Sequence, residues 1–257
     1  MTKRETVLIT GASGGIGAEL ARVFAENKYD LVLAARSLGP LEHLAQELRD
    51  RHGVAARVVR ADLSEPGAAA QLWREAGNID VLVNNAGVGL YGPLADQDPE
   101  AVTRMLQLNV VALSDLTRLA LPGMLQRRSG GILNVASIVG YQPGGPRMAA
   151  YYASKAFVLS YSKGLARELA GTGVTVTALC PPALRTPFEE RSGAAGTRLY
   201  RLLGRDDLRA VAAAGYRGFT RKRPVVIPGL LTKILALAGE LPPRRLALEV
   251  NRWLLAK

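Results

Sequence analysis

Residues 6–17 read TVLITGASGGIG, an apolar run that passes directly into a glycine-rich turn. The run Thr6–Thr10 has the length and composition of a buried strand, and a helical pattern follows over Gly15–Glu26. Glycines between a strand and a helix let backbone N–H groups approach a pyrophosphate without interference from Cβ atoms. The segment therefore predicts a nucleotide-binding turn, although its spacing is not G-x-G-x-x-G and the glycines could serve only helix–sheet packing.

Short apolar runs keep alternating with longer helical patterns along the chain. Further strands are predicted at 30–35, 56–60, 81–84, 131–136, 174–179 and 224–227, and helices at 39–51, 66–76, 99–126 and 150–169. Nearly continuous Val/Ile/Leu strands separated by helices are typical of a parallel sheet buried on both faces. A chain of 257 residues, 48% of them hydrophobic, can bury one sizeable core. The prediction is a single α/β domain over residues 1–257 with a doubly wound parallel sheet of about seven strands.

Two later segments depart from this rhythm. Residues 182–223 follow the sixth strand, where such sheets carry ligand-covering insertions, so a substrate lid is predicted, with a plain connecting helix pair as the alternative. Residues 229–257 are expected to form a helical extension. Its amphipathic end, with Leu246, Val250, Trp253 and Leu254, could pack on its own core, on a partner subunit or on a membrane surface, and the first two are favoured.

Composition and charge limit which cellular location, metal sites and binding partners are expected. The single cysteine excludes an internal disulfide, and with only two histidines no metal site is expected. The N-terminus passes directly into the first apolar strand, so no signal peptide is expected, nor a transmembrane helix, and the predicted location is cytoplasmic. Of the net charge of +11, residues 185–257 carry +9, from fifteen Lys/Arg against six Asp/Glu. A solvated face is the favoured interpretation, an anionic carrier or membrane surface the second; no nucleic-acid module is recognisable.

The ends of three strands suggest how a dinucleotide would be held. After the second strand stands Arg36-Ser37 with no carboxylate, and a guanidinium there favours the 2′-phosphate of NADP(H) over NAD, unless it is merely solvated. Asp62-Leu63 after the third strand could pin the adenine edge. Residues 84–87, NNAG, follow the fourth strand and would supply amides near the cofactor, or only an Asx-stabilised turn.

A tyrosine and a lysine one helical turn apart supply the reactive chemistry. Tyr151 and Lys155 would share a helix face, and a cation beside a phenol with a reference pKa of about 10 favours its ionised form. That pair makes a usable general acid/base. Ser137 closes the fifth strand at the ligand-binding edge, although a lone serine there is also an ordinary turn residue. Asn109 lies in an apolar helical stretch, where either a catalytic role or a structural hydrogen bond would account for a buried amide.

With these motifs in order and at their usual intervals, the chain resembles the short-chain dehydrogenase/reductase family, from the first strand through the seventh. The resemblance implies a Rossmann-type fold in which Tyr151 is the proton donor or acceptor, while Lys155 lowers its pKa and holds the nicotinamide ribose. It also implies that Ser137 orients the substrate carbonyl and that Asn109 holds a water in a proton relay. Thr186 would meet the nicotinamide carboxamide.

The predicted cofactor contacts share the turn, the strand ends and the catalytic helix. They are Gly11, Ser13, Gly14, Gly15, Ile16, Gly17, Arg36, Ser37, Asp62, Leu63, Asn85, Ala86, Gly87, Tyr151, Lys155, Pro181 and Thr186. One departure is Pro182, which stands where the family usually has glycine and lacks both its flexibility and its N–H. Tyr152 is also within one turn of Lys155, but only Tyr151 keeps the family spacing.

The expected activity is that of an NADPH-dependent carbonyl reductase. Residues 225–231 and 242–246 resemble a ketoreductase branch, which suggests an apolar ketone or a 3-oxoacyl substrate. The rivals are a non-catalytic NADP-binding scaffold and an NAD-linked alcohol dehydrogenase. The resemblance also implies a homodimer or homotetramer built through helices 99–126 and 150–169.

Overall fold

A parallel sheet organises the computed structural model, which describes residues 4–204, 207–241 and 243–257. Within these residues its seven strands lie in the order β3-β2-β1-β4-β5-β6-β7. Their bounds are β1 Thr6–Thr10, β2 Asp30–Ala35, β3 Ala56–Arg60, β4 Val81–Asn84, β5 Gly130–Val135, β6 Val174–Leu179 and β7 Val225–Val226. The predicted doubly wound α/β fold is confirmed, with the fifth strand one residue earlier and the seventh shorter than expected.

Helices cover both faces of the sheet and its carboxyl edge. Those in the described residues are α1 Gly15–Glu26, α2 Leu38–His52, α3 Ala68–Ala76, α4 Pro99–Leu106, α5 Leu113–Arg127, α6 Ala149–Glu168, α7 Pro187–Ser192, α8 Arg198–Leu203, α9 Leu208–Thr220, α10 Leu230–Glu240 and α11 Arg244–Leu254. The helix predicted at 99–126 is interrupted, because the segment Gln107–Ala112 between α4 and α5 is π-helical. Such widened turns often mark functional sites, and this one carries Asn109.

The core divides into two layers because strand side chains alternate between the faces of the sheet. On β1, Val7 and Ile9 point to the layer of α1, α2 and α9, whereas Leu8 points to the layer of α3 and α5. All three side chains are fully buried. The strands can therefore be apolar along their whole length, as the sequence pattern indicated.

Helix α9 belongs to the first of these layers and not to a lid. Its Val211, Ala212 and Phe219 are buried with the core of α1 and β1, and the ring centroids of Tyr216 and Phe24 lie 5.1 Å apart. The lid predicted over 182–223 is therefore wrong for this helix, and connecting-helix packing is right for it. Arg205 and Asp206, also in that range, lie outside the described residues. What borders the carboxyl edge of the sheet is the shorter stretch of α7 and α8.

One helical run in the described chain, Pro99–Arg127, is long and apolar enough to cross a membrane by length and composition. That is weak evidence, since the core helix of a soluble protein meets the same criteria. Leu116, Ala120 and Met124 on this run lie buried in the second core layer. Assembly through its outer face, and through that of α6, stays a prediction.

The C-terminal helices differ from expectation. Leu246, Val250 and Trp253 are 65%, 53% and 52% exposed, so of the two favoured interpretations packing on the chain's own core is wrong, and packing on a partner subunit stays a prediction. Leu254 is half-buried, and the side chain that enters the core is its neighbour Leu255. Pro242, part of the segment 242–246 that resembled a ketoreductase branch, lies outside the described residues.

The packing of α9 predicts opposite effects of two glycine-to-alanine substitutions. A Cβ at Gly218 would collide with the stiff Val226 side chain, whereas at Gly164, exposed on α6, no described atom lies within 4 Å. We expect Gly218→Ala to lower the free energy of unfolding by about 1–3 kcal/mol. Gly164→Ala should raise it by about 0.5–1 kcal/mol, because alanine favours a helix. Urea denaturation measures both, and a neutral Gly218→Ala would contradict the core packing of α9.

Candidate active site

A cleft of about 330 Å³ opens at the carboxyl edge of the sheet, where the strand order reverses between β1 and β4. Ligands bind at this switch point in open parallel sheets, because the loops diverge there and leave a crevice. Every predicted cofactor contact except Gly17 lines the cleft. So do the predicted catalytic residues Ser137, Tyr151 and Lys155, whereas Asn109 lies behind its wall.

The glycine turn is tight on one side and open on the other. Gly11 has φ 66°, and a Cβ on it would lie 2.9 Å from Ala86 Cα; a Cβ on Gly17 would collide with the Gly11 carbonyl. These two glycines let strand, turn and helix pack closely. At Gly14 and Gly15 no described atom lies within 4 Å of a built Cβ, so they border open space.

The open side fits a pyrophosphate. Among the described residues no side chain caps the N-terminus of α1, so its first N–H groups are left for a ligand. The helix dipole adds partial positive charge there. The donor set and the open space therefore suit the dinucleotide that the sequence predicts, and contact of Gly14 and Gly15 with its phosphates stays a prediction.

Asn85 braces the glycine turn from the neighbouring strand. Its amide nitrogen donates to the carbonyl oxygens of Thr10 (2.9 Å) and Gly11 (3.1 Å). In return the Thr10 hydroxyl oxygen accepts the N–H groups of Asn85 and Ala86, both at 3.0 Å. The NNAG motif thus has a structural role, because Asn85 and Ala86 form hydrogen bonds with Thr10 and Gly11. Sequence reasoning missed Thr10, because only its position at the end of β1 hinted at this role.

The charged corner of the cleft is formed by Arg36 and Asp62. Arg36 Nη1 lies 3.9 Å from Asp62 Oδ2, and 62% of the arginine side chain is exposed. Partial burial acts to raise the pKa of Asp62, but hydrogen bonds from the Ser64 hydroxyl and N–H and the charge of Arg36 bring it below its ordinary value. The guanidinium therefore has a carboxylate partner on one side and solvent on the other, where a phosphate can approach.

Tyr151 and Ser137 face each other across the inner end of the cleft. Both are buried, each only 8% exposed. Burial raises the pKa of Tyr151 to about 12, and its hydrogen bond with Ser137 acts in the opposite direction. Ser137 Oγ also accepts the N–H of Val139 at 3.3 Å, which holds the hydroxyl at the end of β5. At neutral pH this phenol is therefore protonated.

Lys155 lies one turn further along α6 and is held by the sheet. Its ammonium donates to the Val135 carbonyl oxygen at 2.9 Å, and burial lowers its pKa to about 8, with Cys180 acting weakly the other way. The hydroxyl of Ser137, not this ammonium, is the group that acts against the raised pKa of Tyr151. That Lys155 lowers the pKa of the phenol stays a prediction.

The sequence left a catalytic and a structural role open for Asn109, and the structure shows structural hydrogen bonds. Its Oδ1 accepts the N–H of Val88 at 3.0 Å, and its Nδ2 donates to the Val88 carbonyl at 2.9 Å and to Ser154 Oγ at 3.1 Å. The π-helical turn thus ties α4 and α5 to the loop after β4. Both amide N–H groups are already used, and a proton relay through this residue stays a prediction.

The remaining predicted contacts lie after β6. The Thr186 hydroxyl accepts the N–H of Phe188 at 3.2 Å and caps α7, and the Pro181 carbonyl accepts the N–H of Ile138 at 2.9 Å. Pro182 lines the cleft beside them. The substitution of proline for glycine is therefore compatible with a backbone that crosses the cleft.

An apolar wall closes the cleft opposite the glycine turn. Its side chains come from the loop before α6, from α6 itself, from α7 and from α8: Met148, Tyr152, Phe188, Leu199 and Tyr200. The Phe188 ring centroid lies 5.5 Å from that of Tyr151. Sequence reasoning did not single out Phe188, Leu199 or Tyr200, which were marked only by lying inside the predicted lid. This wall can accommodate the apolar part of a substrate.

The depressed pKa of Lys155 predicts a pH-dependent stability. The unfolded lysine, with an ordinary pKa of 10.5, binds more protons than the folded one, with a pKa of about 8, so this group adds stability as pH rises between them. Relative to Lys155→Met, the wild type should gain on the order of 2 kcal/mol from pH 7 to 9.5. Urea unfolding of both proteins across this range measures it. A constant difference would contradict a desolvated ammonium.

Comparison with known proteins agrees with this arrangement. The family model described as short chain dehydrogenase matches residues 5–195. Ketoacyl reductase HetN of Nostoc sp. is 31% identical over 262 residues, covering 97% of this chain and 88% of its own. A short-chain dehydrogenase from Sphingobium yanoikuyae, solved with NADPH, is 40% identical with a TM-score of 0.82, covering 91% of this chain and 92% of its own. The bulky-bulky ketone specific alcohol dehydrogenase from Comamonas testosteroni is 34% identical with a TM-score of 0.78, covering 94% and 96%. A glycine turn at the sheet's switch point, a serine–tyrosine pair and these matches lead to one conclusion: the chain belongs to the short-chain dehydrogenase family.

Proposed function

We propose that this protein is an NADPH-dependent reductase of an apolar ketone or 3-oxoacyl compound. The observation that carries the proposal is the protonated Tyr151 phenol, beside Ser137 and between the glycine turn and an apolar wall. The names of relatives support it, since one is a ketoacyl reductase and another acts on bulky-bulky ketones.

The residues divide the work on the carbonyl. When bound, NADPH supplies the hydride that reduces the carbonyl carbon. The hydroxyl groups of Ser137 and Tyr151 orient the carbonyl oxygen, and Tyr151 gives its proton to that oxygen as negative charge develops there. The apolar wall excludes water, so the hydrogen bonds act in a low-dielectric site. Lys155, on the same helix face, is suited to hold a ribose and to steady the phenolate left behind.

Carbonyl reduction needs a phenol that is protonated when the ketone binds. A tyrosine with a pKa of about 12 is protonated at neutral pH and therefore ready to act as an acid. The reverse oxidation of an alcohol needs the phenolate as a base, and burial opposes its formation. Because a catalyst does not set the equilibrium of the reaction that it accelerates, an NAD-linked alcohol dehydrogenase stays the rival function, and cofactor choice tests it.

The preference for NADPH over NADH rests on Arg36. Its guanidinium is mostly exposed at the mouth of the cleft, where a 2′-phosphate can pair with it in a bidentate manner. The nearby carboxylate of Asp62 already has Arg36 and Ser64 as partners. A relative solved with NADPH supports the same preference.

Two neighbouring tyrosines allow a matched test of the proton donor. Tyr151→Phe should lower kcat for ketone reduction roughly a hundredfold to ten-thousandfold, the usual contribution of a positioned general acid. Tyr152→Phe removes an equally buried phenol from the same wall and should leave kcat within about threefold. NADPH oxidation followed by absorbance, against a panel from small diketones through steroids to 3-oxoacyl thioesters, measures both.

The panel also separates the rival functions. Full turnover by Tyr151→Phe would overturn the proposed role of the phenol. A wild-type protein that binds NADPH but turns over no member of the panel would favour the non-catalytic NADP-binding scaffold instead.

Arg36 and Arg60 provide a second matched pair, for cofactor choice. Arg60 is exposed at the end of the adjacent strand β3 but does not line the cleft. We expect Arg36→Ala to lower the ratio of kcat/KM for NADPH over NADH by about tenfold to a hundredfold, because a charged hydrogen bond to phosphate is lost. Arg60→Ala should leave the ratio unchanged. An unchanged ratio in Arg36→Ala would identify a merely solvated arginine and reopen NAD-linked chemistry.

A further inference from the structure

Helix α10 is amphipathic in the reverse of the usual sense. Its large side chains Leu230, Ile234, Leu237 and the following Leu241, spaced along one helix face, are 77%, 56%, 59% and 53% exposed. The residues that it buries fully are small, Thr232, Ala236 and Gly239, and Leu235 packs partly buried beside them. A helix of a soluble protein normally presents its large apolar side chains to the core.

Helix α11 repeats the inversion. Leu246, Val250 and Trp253 lie on one face and are more than half exposed, while Asn251 is the residue that the helix buries. The buried side is fastened by hydrogen bonds, since Asn251 Nδ2 donates to the Gly144 carbonyl at 2.7 Å. Just past the helix, the Tyr91 hydroxyl donates to the Leu255 carbonyl at 2.6 Å. The orientation is therefore set by specific contacts and not by the apolar face.

These two faces form what we call the C-terminal apolar surface. Its members are seven large apolar side chains, each more than half exposed, from the two packed helices and the residue after α10: Leu230, Ile234, Leu237, Leu241, Leu246, Val250 and Trp253. Soluble monomers rarely leave apolar patches of such extent uncovered, because each side chain keeps its hydration cost. Something apolar is expected to cover the surface.

Charge decides between the candidate occupants. Lys233, Arg244, Arg245 and Lys257 are exposed on or next to the two helices, and residues 229–257 carry a net +3, from five Lys/Arg against Glu240 and Glu249. In addition, the Arg198 guanidinium lies 5.0 Å from the Trp253 ring centroid. A second copy docked through the same face would bring these cations together, whereas an anionic bilayer would attract them. An apolar stripe with tryptophan and flanking Lys/Arg is also the composition of helices that lie in a membrane interface.

We propose that α10 and α11 dock this protein on anionic phospholipid bilayers, with the C-terminal apolar surface inserted among the lipid headgroups. The surface adjoins the active-site cleft through α8. On that short helix Leu199 and Tyr200 line the cleft, while Leu202 is 62% exposed. Arg198 Nη1 donates a hydrogen bond to the Trp253 carbonyl oxygen at 3.4 Å, which links α8 to α11. Docking requires no turnover, so it can be tested independently of the proposed reductase activity.

Vesicle flotation tests the apolar part of the surface. The full chain should float with vesicles of phosphatidylcholine mixed with phosphatidylglycerol, and Leu246→Ser/Val250→Ser should lower the partition coefficient at least about tenfold. The matched control Leu38→Ser/Leu94→Ser removes two exposed leucines elsewhere and should float like the wild type. Because all four side chains are exposed, thermal unfolding should be unchanged in both variants. Undiminished flotation of the first variant would overturn the proposal.

A second pair of variants tests the charge. Arg244→Glu/Arg245→Glu should lower the partition coefficient at least about tenfold, since each basic residue near an anionic surface is worth about fivefold. The control Arg60→Glu/Arg74→Glu makes the same charge change on exposed residues of β3 and α3 and should have a smaller effect. Equal binding of the wild type to pure phosphatidylcholine vesicles would overturn the selection for anionic lipid.

Tryptophan fluorescence reports insertion directly. In a Trp73→Phe background Trp253 is the remaining tryptophan, and its emission should shift to shorter wavelength when anionic vesicles are added. Light scattering identifies the rival occupant. A wild-type particle whose mass halves in Leu246→Ser/Val250→Ser, together with no vesicle binding, would overturn the proposal and assign the surface to a second copy.

Discussion

The hydrogen bonds between Thr10 and Asn85 join the two halves of this protein at the place where the sheet's order reverses. They connect the ends of β1 and β4, and every ligand-facing group is placed relative to this junction. Without them the glycines of the turn would have no fixed partner across the crevice, because glycine carries no side chain that could reach one. Residues 11 and 17 must then be glycine, since a Cβ on either would collide with the Asn85 side chain. Close backbone packing thus fixes the shape of the glycine turn. Its side at Gly14 and Gly15 makes no such contacts and stays open to a ligand.

Burial is the second constraint, and it acts oppositely on the two groups of the Tyr-x-x-x-Lys motif. It raises the pKa of Tyr151 to about 12 and lowers that of Lys155 to about 8, so each group is pushed toward its neutral form. The protein tolerates this because each side chain has a fixed partner, Ser137 for the phenol and the Val135 carbonyl for the ammonium. A neutral phenol held in a dry cleft has the proton that an acid in carbonyl reduction must give. The same desolvation that costs stability therefore keeps the phenol protonated for the proposed proton transfer.

The sequence predicted what depends on local patterns and missed what depends on distant contacts. Strands β1 to β4 and the spacing of Tyr151 and Lys155 could be assigned from periodicity and from motif order. The role of the Asn85 amide could not, because its partners lie about 75 residues away in the chain and an asparagine in a turn has several uses. Helix α9 could not be told from a lid, since an amphipathic pattern does not say which surface it meets. For Asn109 the sequence left two roles open, and only the position of Val88 reveals the structural one.

The same limit on sequence patterns applies to the C-terminal helices α10 and α11. Amphipathicity at 246–254 was visible in the sequence, but the face that turns inward was not, because it is chosen by hydrogen bonds from Asn251 to the loop before α6. Replacing an exposed leucine by a polar residue costs the folded state almost nothing. Folding alone therefore does not explain why Leu230, Ile234 and Trp253 face outward together. An apolar surface that is not needed for the fold, bordered by cations and joined through α8 to the wall of the cleft, is accounted for by an occupant outside the chain. If that occupant is a bilayer, an apolar ketone dissolved in it would reach the active site without crossing water, which links the shape of the surface to the substrate class proposed for the site.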